Sequence, residues 1–309
     1  MPDPPFSKQD SLRFHLATLP GMGPVSFGRL LSRFGSVSEV FEATQRELVE
    51  KAGIRRDLAR TVALSGDFLD DTLEALEAFD SCGAKVVYSD STEAPSRLMA
   101  TTGDWHCLTV LGNLSLLRSG KAIAMVGRRR ATQEGLGFAY SLAAEFGRRG
   151  IPTVSGMASG VDRASHLGSL SEKGGTVGVL PMGILRFLRE NTTFSKAAEA
   201  GERAHLLLVS GAPPLQRWSV SEAMRRNKWI ASWSDAVVVV EAGEKGGTWK
   251  TASSARKCGQ PVWVATGFAD QSAGVGNSYL VERLGGFPLD VREPLEEVAE
   301  RVLNGSPTG

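Results

Sequence analysis

The chain has 309 residues, 42% of them hydrophobic, and a formal net charge of +1 at pH 7. A chain of this length can bury a sizeable core, and length alone favours two domains. The near-zero net charge excludes a surface that is basic throughout, so any contact with nucleic acid must come from local patches.

The first 78 residues predict a tail followed by a helical domain. Residues 1–10 are polar and proline-rich, which indicates a disordered tail, whereas residues 11–78 repeat apolar side chains at helical spacing. The segment Leu19-Pro20-Gly21-Met22-Gly23-Pro24 has the pattern of a helix-hairpin-helix turn. Its glycines either let backbone N–H groups approach a phosphate or serve only to pack a tight turn, and both interpretations stay open.

Residues 79–303 predict an α/β domain, and residues 304–309 a second disordered tail. Predicted strands lie at 84–88, 108–111, 122–126, 152–155, 176–180, 205–210, 236–241 and 262–265. Predicted helices lie at 134–149, 162–172, 191–200, 219–232 and 248–257, with a last helix at 288–303. Because the core strands are continuously apolar, they are buried on both faces, as in a Rossmann-like, doubly wound and mostly parallel sheet.

A glycine and three arginines follow the first core strand. Gly127 ends the strand, and Arg128, Arg129 and Arg130 come directly after it. Ligands of open parallel sheets bind at the carboxyl ends of the strands, and the planar guanidinium group suits a phosphate. The segment therefore predicts a phosphate contact, with a solvated turn as the alternative.

The next strand runs into a glycine-rich turn and a helix. Ser155, Gly156 and Gly160 form a segment of the kind whose backbone N–H groups bind an anion. Asp162 has a simpler role as the N-cap of the following helix, with a base or nucleophile as the alternative. His166 is interpreted as a hydrogen-bonded structural histidine rather than a catalytic one.

Cations and an amide are concentrated in the helix before the strand at 236–241, namely Arg225, Arg226, Asn227 and Lys228. Arginine and lysine hold phosphates and asparagine reads a base edge, which predicts a nucleic-acid contact, with a charged helix face as the alternative. A second glycine-rich loop comes after that strand and contains Lys245, Gly246, Gly247 and Thr248. It is suited to an anion, but its spacing is not that of a Walker A loop.

These segments together resemble the DNA-processing A (DprA) family, as a divergent member without the family's C-terminal winged-helix domain. The resemblance is carried by GNLSLL at 112–117, VGRRRAT at 126–132, VSGMASGVD at 154–162, RNKWIA at 226–231 and GN at 276–277. It implies single-stranded DNA binding, loading of a RecA-type recombinase during DNA uptake and transformation, and a homodimer. A related DNA-processing or defence role remains open. The DNA contacts it implies are Arg128, Arg129, Arg130, Arg226, Asn227 and Lys228.

Two other functions remain open for the same crevice. A phosphoribohydrolase-like enzyme would use Gly246, Gly247 and Thr248 as a partial phosphate loop, with Glu222 and Arg226, or Glu241, at the glycosidic bond. A sensor would bind a nucleotide-derived signal there. The sequence shows no complete catalytic constellation and no metal-spaced His/Cys cluster, so we predict no catalytic residue, no metal and no cofactor.

The remaining expectation concerns location. The three cysteines, Cys82, Cys107 and Cys258, lie far apart without a CxxC pair, which fits a reducing compartment. The N-terminus lacks the apolar segment of a signal peptide, and no apolar run approaches the about 20 residues that span a bilayer. We therefore expect a cytoplasmic protein without a membrane partner.

Overall fold

The computed structural model describes residues 6–66, 69–92, 94–99, 102–118, 120–191 and 204–305. Within these ranges the chain begins with the helices α1 Lys8–Thr18, α2 Pro24–Phe34, α3 Val37–Glu42, α4 Gln45–Ala52, α5 Arg56–Leu64 and α6 Leu69–Cys82. The predicted helical N-terminal region is therefore present. Helix α6 ends at Cys82 rather than at residue 78, and Gly83, with a φ of +72°, turns the chain into the first strand.

Helix α1 begins inside the segment that was predicted to be a disordered tail. The Ser7 hydroxyl accepts a hydrogen bond from the Asp10 N–H, and the Asp10 carboxylate accepts one from the Ser7 N–H. This capping box satisfies two N–H groups at the helix start, so Lys8 begins the helix although the segment is polar. The prediction of disorder was wrong for residues 6–10, and residues 1–5 lie outside the described ranges.

The described strands form one mostly parallel sheet, as predicted. They are β1 Ala84–Tyr88, β2 Cys107–Gly112, β3 Ile123–Val126, β4 Thr153–Ser155, β5 Thr176–Leu180, β6 Leu206–Ser210, β7 Ala236–Val239, β8 Val262–Thr266 and β9 Phe287–Asp290. Their spatial order is β1-β2-β6-β5-β4-β3-β7-β8-β9. Strand β2 runs antiparallel to both β1 and β6, and the pairs from β6 to β9 are parallel.

Helices cover both faces of this sheet. The later ones are α7 Ser96–Met99, α8 Gln133–Arg148, α9 Val161–Ser171, α10 Ile184–Glu190, α11 Val220–Ser232, α12 Gly247–Lys257, α13 Gln271–Leu284 and α14 Leu295–Asn304. Side chains of α8, α9 and α14 pack on one face of β3 and β7, and those of α11, α12 and α13 pack on the other. Helices α1–α6 share a further core with α10 and the strands β1, β2 and β6.

The order of the strands creates a switch point between β3 and β7. Successive strands after β3 proceed toward β6 on one side, and those after β7 proceed toward β9 on the other. The connections from two neighbouring strands therefore leave in opposite directions, which opens a crevice at their carboxyl ends. This feature positions the candidate site.

Three predictions of secondary structure need correction. Helix α10 at Ile184–Glu190 was not predicted, and most of the helix predicted at 191–200 lies outside the described residues. Helix α13 was missed. The helix predicted at 288–303 is instead the strand β9 followed by α14, because Pro288 sits in an edge strand, where its missing N–H costs no ladder bond.

The cysteines and the helix lengths bear on the expected location. The three cysteines form no disulfide, and burial raises the pKa of Cys107 to about 12. Cys258 is exposed at the C-terminal end of α12. Among the described residues, none of the helices combines the length and the hydropathy that crossing a bilayer would require.

Candidate functional site

A cleft of about 510 Å³ opens at the switch point between β3 and β7. The segment after β3, the N-terminal half of α11 and the loop between β7 and α12 form its walls. Six cations line it, namely Arg128, Arg129, Arg130, Arg226, Lys245 and Lys250, against one carboxylate, Asp162. This excess of positive charge in one concave surface favours an anionic ligand.

Close packing of two glycine turns shapes one wall. A Cβ on Gly127 would lie 2.5 Å from the Val161 side chain, and a Cβ on Gly160 would lie 2.3 Å from the Arg128 carbonyl oxygen. The Val161 N–H donates to that same oxygen at 3.2 Å. Only glycine permits these approaches, and they bring the exposed arginine segment against the start of α9.

Asp162 folds back over its own turn instead of capping α9, whose N-cap is Gly160. Its carboxylate accepts hydrogen bonds from the N–H groups of Gly156 at 3.2 Å and Ala158 at 3.4 Å. Burial raises the pKa of Asp162, an effect that the nearby positive charge of Arg226 opposes. Within the segment predicted to hold an anion, the amides of Gly156 and Ala158 are thus occupied by the protein's own carboxylate.

Ser155, which was predicted to contact an anion, does not line the cleft. Its hydroxyl is fully buried and donates to the Met125 carbonyl oxygen at 2.5 Å. The cause is general in a doubly wound sheet, because a strand covered on both faces turns its last side chain into the core.

Arg226 is the main feature of the cleft. It is only 8% exposed, and its guanidinium packs so closely on Gly156 that a Cβ there would lie 1.6 Å from Nη1. Its Nε is buried without a hydrogen-bond partner among the described residues. Burial lowers the pKa of Arg226, and the negative charge of Asp162 opposes this shift. A buried positive charge is costly, and an anion in the cleft would offset that cost.

The cationic segment of α11 is divided between different surfaces. Arg226 and Asn227 line the cleft, and Lys228 is exposed but not part of its lining. Arg225 points away, donates to the Gly211 carbonyl oxygen at 2.6 Å and pairs with Glu222. The four residues that were predicted to contact nucleic acid therefore do not all face the cleft, since successive residues of a helix point about 100° apart.

The loop after β7 forms the opposite wall. Lys245, Gly246, Gly247 and Thr248 all line the cleft, as the anion-loop prediction requires. Gly246 has a φ of +127°, a conformation that favours glycine, and it caps the start of α12. The N-terminus of α12 therefore lies at the cleft, where its dipole favours negative charge.

The carboxylates of the enzyme alternative do not line the cleft. Glu241 is fully buried and accepts hydrogen bonds from the Thr132 N–H at 3.0 Å and the Thr132 hydroxyl at 2.5 Å. Glu222 is paired with Arg225 on the other side of α11. Neither of the proposed acid residues is placed to act on a ligand beside Arg226.

His166 is structural, as predicted. Its Nδ1 lies 2.7 Å from the Thr176 hydroxyl, and its Nε2 accepts a hydrogen bond from the Met157 N–H at 3.4 Å. Burial, reinforced by the charge of Arg226, lowers the pKa of His166 to about 3. The ring is therefore neutral under ordinary conditions.

The sequence analysis missed several lining residues, among them the polar or aromatic side chains of Trp218 and Lys250. Trp218 is 45% exposed, and the Arg129 guanidinium lies 6.0 Å from the centre of its ring. An exposed tryptophan just before the predicted helix at 219–232 was the available signal. An exposed aromatic ring beside a cation is the arrangement on which a nucleobase stacks.

Comparisons with known proteins place the chain in a family. The family model of DNA recombination-mediator protein A matches residues 85–298. The chain is 28% identical over 267 residues to the DNA processing protein DprA of Bacillus subtilis, and the alignment covers 85% of this chain and 86% of the relative. It is 31% identical over 249 residues to the putative DNA processing protein DprA of Mycobacterium tuberculosis, covering 74% of this chain and 59% of that relative.

Two solved structures share the fold. The X-ray structure of DNA processing protein A from Streptococcus pneumoniae matches with a TM-score of 0.71 at 20% identity, over 90% of this chain and 94% of that chain. The DNA processing protein A of Helicobacter pylori, studied for its single-stranded DNA binding mode, matches with a TM-score of 0.60 at 21% identity. That match covers 72% of this chain and 96% of the other.

Proposed function

This chain belongs to the DNA recombination-mediator protein A family, and we propose that the cleft between β3 and β7 binds the phosphate backbone of single-stranded DNA. The observation that carries the proposal is Arg226, whose guanidinium lines the cleft although the residue is only 8% exposed. Arg129 and Lys245 extend the same positive surface into solvent, where a phosphate first arrives.

A single strand fits this cleft better than a duplex does. The exposed ring of Trp218 stands at the rim beside Arg129, so a base next to the bound phosphate has a surface on which to stack. A base within a duplex is already stacked on its neighbours and cannot use that ring. The single-stranded DNA binding mode studied for the Helicobacter pylori relative supports the same choice of ligand.

The test is a titration of a labelled thymidine oligonucleotide with the full chain across a salt series. We expect affinity to fall steeply with salt, because each phosphate contact releases counterions. Arg129→Ala with Arg226→Ala should weaken binding of all sequences about equally. Arg226 is buried, so Arg129→Ala with Lys245→Ala serves as a second variant that removes only exposed side chains. Losing two contacts should lower the slope of log affinity against log salt by about 1.4 for a single strand.

The matched control is Arg118→Ala with Lys121→Ala. These two exposed cations precede β3, at the end of the strand opposite the cleft. The control should bind like the unchanged chain. Equal affinity of the control and the Arg129/Lys245 variant would contradict the proposal. Binding of a free nucleoside monophosphate as tightly as the oligonucleotide would favour the sensor alternative instead.

The partners and the location expected from the family resemblance are part of this proposal. We infer a RecA-type recombinase as partner, which the description of the family as recombination mediators supports, and a homodimer, which rests on the family resemblance alone. Light scattering of the purified chain tests the dimer, and recombinase assembly on a covered single strand tests the second partner. A cytoplasmic location is consistent with three cysteines that form no disulfide. We propose a binding protein and assign no catalytic residue.

A further inference from the structure

Two glycine turns of the helical region lie side by side, although the sequence pattern indicated only one of them. The first contains Gly21, with a φ of +82°, and joins α1 to α2; the second contains Gly53, with a φ of +62°, and joins α4 to α5. The Arg55 Nη2 lies 3.7 Å from the position of a Cβ on Gly21. The Arg29 Nη1 donates to the Gly53 carbonyl oxygen at 3.4 Å. Each hairpin thus places an arginine on the turn of the other.

The resulting surface is open and positive. We call it the hairpin face and define it by Gly21, Arg29, Gly53, Arg55 and Arg56, all of which are exposed. Arg29 and Arg56 have no ion-pair partner within the described residues. Arg55 pairs only with the exposed Asp57 at 3.2 Å, a contact of the kind that contributes little and exchanges readily with solvent.

Backbone donors add to this charge. The helices that leave the two turns, α2 and α5, begin without a side-chain hydrogen bond to their first N–H groups. In contrast, α1, α3 and α4 are each capped by a serine or threonine side chain. Apart from Pro24, which has no N–H, the first amides of α2 and α5 thus lack a side-chain cap beside the guanidinium groups, and both kinds of donor bind phosphate oxygens.

The charges of the helical region are also segregated. Helix α6 carries five acidic residues and no basic ones, namely Asp70, Asp71, Glu74, Glu77 and Asp80. Helix α2 contains no acidic residue, and α5 continues the positive surface with Arg60, one turn after Arg56. The near-neutral total charge of the chain thus conceals a local positive field at the hairpin face.

We propose that the hairpin face binds the sugar–phosphate backbone of duplex DNA, at a surface separate from the cleft. Its amides and guanidinium groups contact phosphates without reading a base sequence. The exposed large hydrophobic side chains described in α1–α6 are Val25, Leu64 and Leu73, none of them aromatic, so unpaired bases find no ring to stack on. That composition favours a duplex, whose bases need no such surface, and distinguishes the hairpin face from the cleft with its Trp218.

The experiment measures binding of the full chain to two labelled probes, a blunt duplex and a thymidine oligonucleotide, across a salt series. Arg29→Ala with Arg55→Ala should weaken duplex binding about tenfold at moderate salt and lower its salt slope by about 1.8. Binding of the oligonucleotide should stay within twofold of the unchanged chain. Circular dichroism melting of the variant shows whether the helical region remains folded. A second variant, Arg56→Ala with Arg60→Ala, tests the same face through two arginines that are not described as contacting either glycine turn.

The matched control is Lys8→Ala with Lys85→Ala, which removes two exposed cations, at the start of α1 and in β1, that are not part of the hairpin face. It should bind duplex like the unchanged chain. No duplex binding by the unchanged chain, or equal duplex affinity of both hairpin-face variants and the control, would overturn the proposal. The cleft variant Arg129→Ala with Lys245→Ala should lose the oligonucleotide and keep the duplex, so failure at one site is distinct from failure at the other.

Discussion

At the scale of single residues, the cleft depends on a glycine that makes room for a buried arginine. The absent side chain of Gly156 is the space that the Arg226 guanidinium occupies. The sequence analysis selected Gly156 for its glycine-rich turn and Arg226 for its cationic helix. It did not predict their contact, because the two residues lie far apart in the chain. The separation of Arg225 from Arg226 was available from helical periodicity alone, and so was the burial of Ser155 at the end of a doubly covered strand.

This contact predicts the effect of Gly156→Ala. The added methyl group would overlap the guanidinium, whose Nη1 lies 1.6 Å from its position, so Arg226 must move out of the cleft wall. We expect single-stranded DNA affinity to fall about tenfold, which corresponds to about 1.4 kcal/mol. The control is Gly137→Ala on the exposed side of α8, where nothing lies within 4 Å and where alanine should stabilise the helix by about 0.5–1 kcal/mol. Unchanged affinity of Gly156→Ala would show that Arg226 does not hold the DNA.

At the scale of elements, strands were easier to predict than helices. The predicted strands agree with β1–β8 to within a residue or two, because continuous apolar runs between glycine and proline residues leave little choice. Helix α13 was missed because its first turns contain Gly274 and Gly276, which weaken both helix propensity and apolar periodicity. Strand β9 was missed because Pro288 argues against a strand except at a sheet edge, and no local signal identifies the edge.

Helix α13 has an importance that its sequence alone did not show, because Asn277 joins the carboxyl ends of the two strands β7 and β8. Its Nδ2 donates to the carbonyl oxygens of Val240 at 2.7 Å and Ala265 at 2.8 Å, and its Oδ1 accepts from the Ala242 N–H at 2.8 Å. The loop that begins at Ala242 continues into the cleft wall. The side chain therefore positions the cleft from behind without lining it.

We predict that Asn277→Ala destabilises the protein by about 2–4 kcal/mol, since three buried backbone groups lose their partners. Urea unfolding measures this change. At a temperature where the variant is still folded, its single-stranded DNA affinity should also fall, because the loop with Lys245 loses its anchor. The matched control is Ser278→Ala, which changes the next residue, whose side chain is exposed, and should alter neither stability nor affinity. A variant as stable as the control would contradict this role.

At the scale of the whole molecule, the helical region and the sheet form one continuous structure. Apolar side chains of α1, α2 and α5 share a core with β1, β2 and β6, and His106 of the sheet lies 2.8 Å from the Ala17 carbonyl oxygen through its Nε2. The sequence predicted the two parts as separate domains, which remains a prediction about folding units. The shared core was not foreseeable, because neither part's periodicity reveals what covers its outer face.

Three buried histidines distributed over this structure predict its response to acid. Burial lowers the pKa values of His15, His106 and His166, the last to about 3. The folded state holds these rings neutral, whereas the unfolded chain protonates them near pH 6.5. Unfolding therefore takes up protons below that pH, and stability present above pH 6.5 is lost as the pH falls.

For His166 alone the loss between pH 7.5 and 5.5 should be about 1.4 kcal/mol. Urea unfolding at the two pH values measures it. His166→Gln should be less stable than the unchanged chain at pH 7.5, yet its stability should decline less on acidification, by about the stated amount. An equal decline in both proteins would show that the ring is not held neutral by its surroundings.

Helix α12 connects the cleft to a cysteine that can carry a fluorescent label. The helix opens at the cleft with Gly247 and spans 11 residues, or about 16 Å, before Cys258. Cys258 is exposed, Cys107 is buried with a raised pKa, and Cys82 is half-buried with its thiol donating to the Phe79 carbonyl oxygen. A maleimide dye should therefore couple preferentially at Cys258, at the far end of α12. A dye on Cys258 would lie close enough to the cleft for resonance energy transfer to a second dye on a bound oligonucleotide. Binding at the cleft could then be measured by fluorescence without an engineered residue.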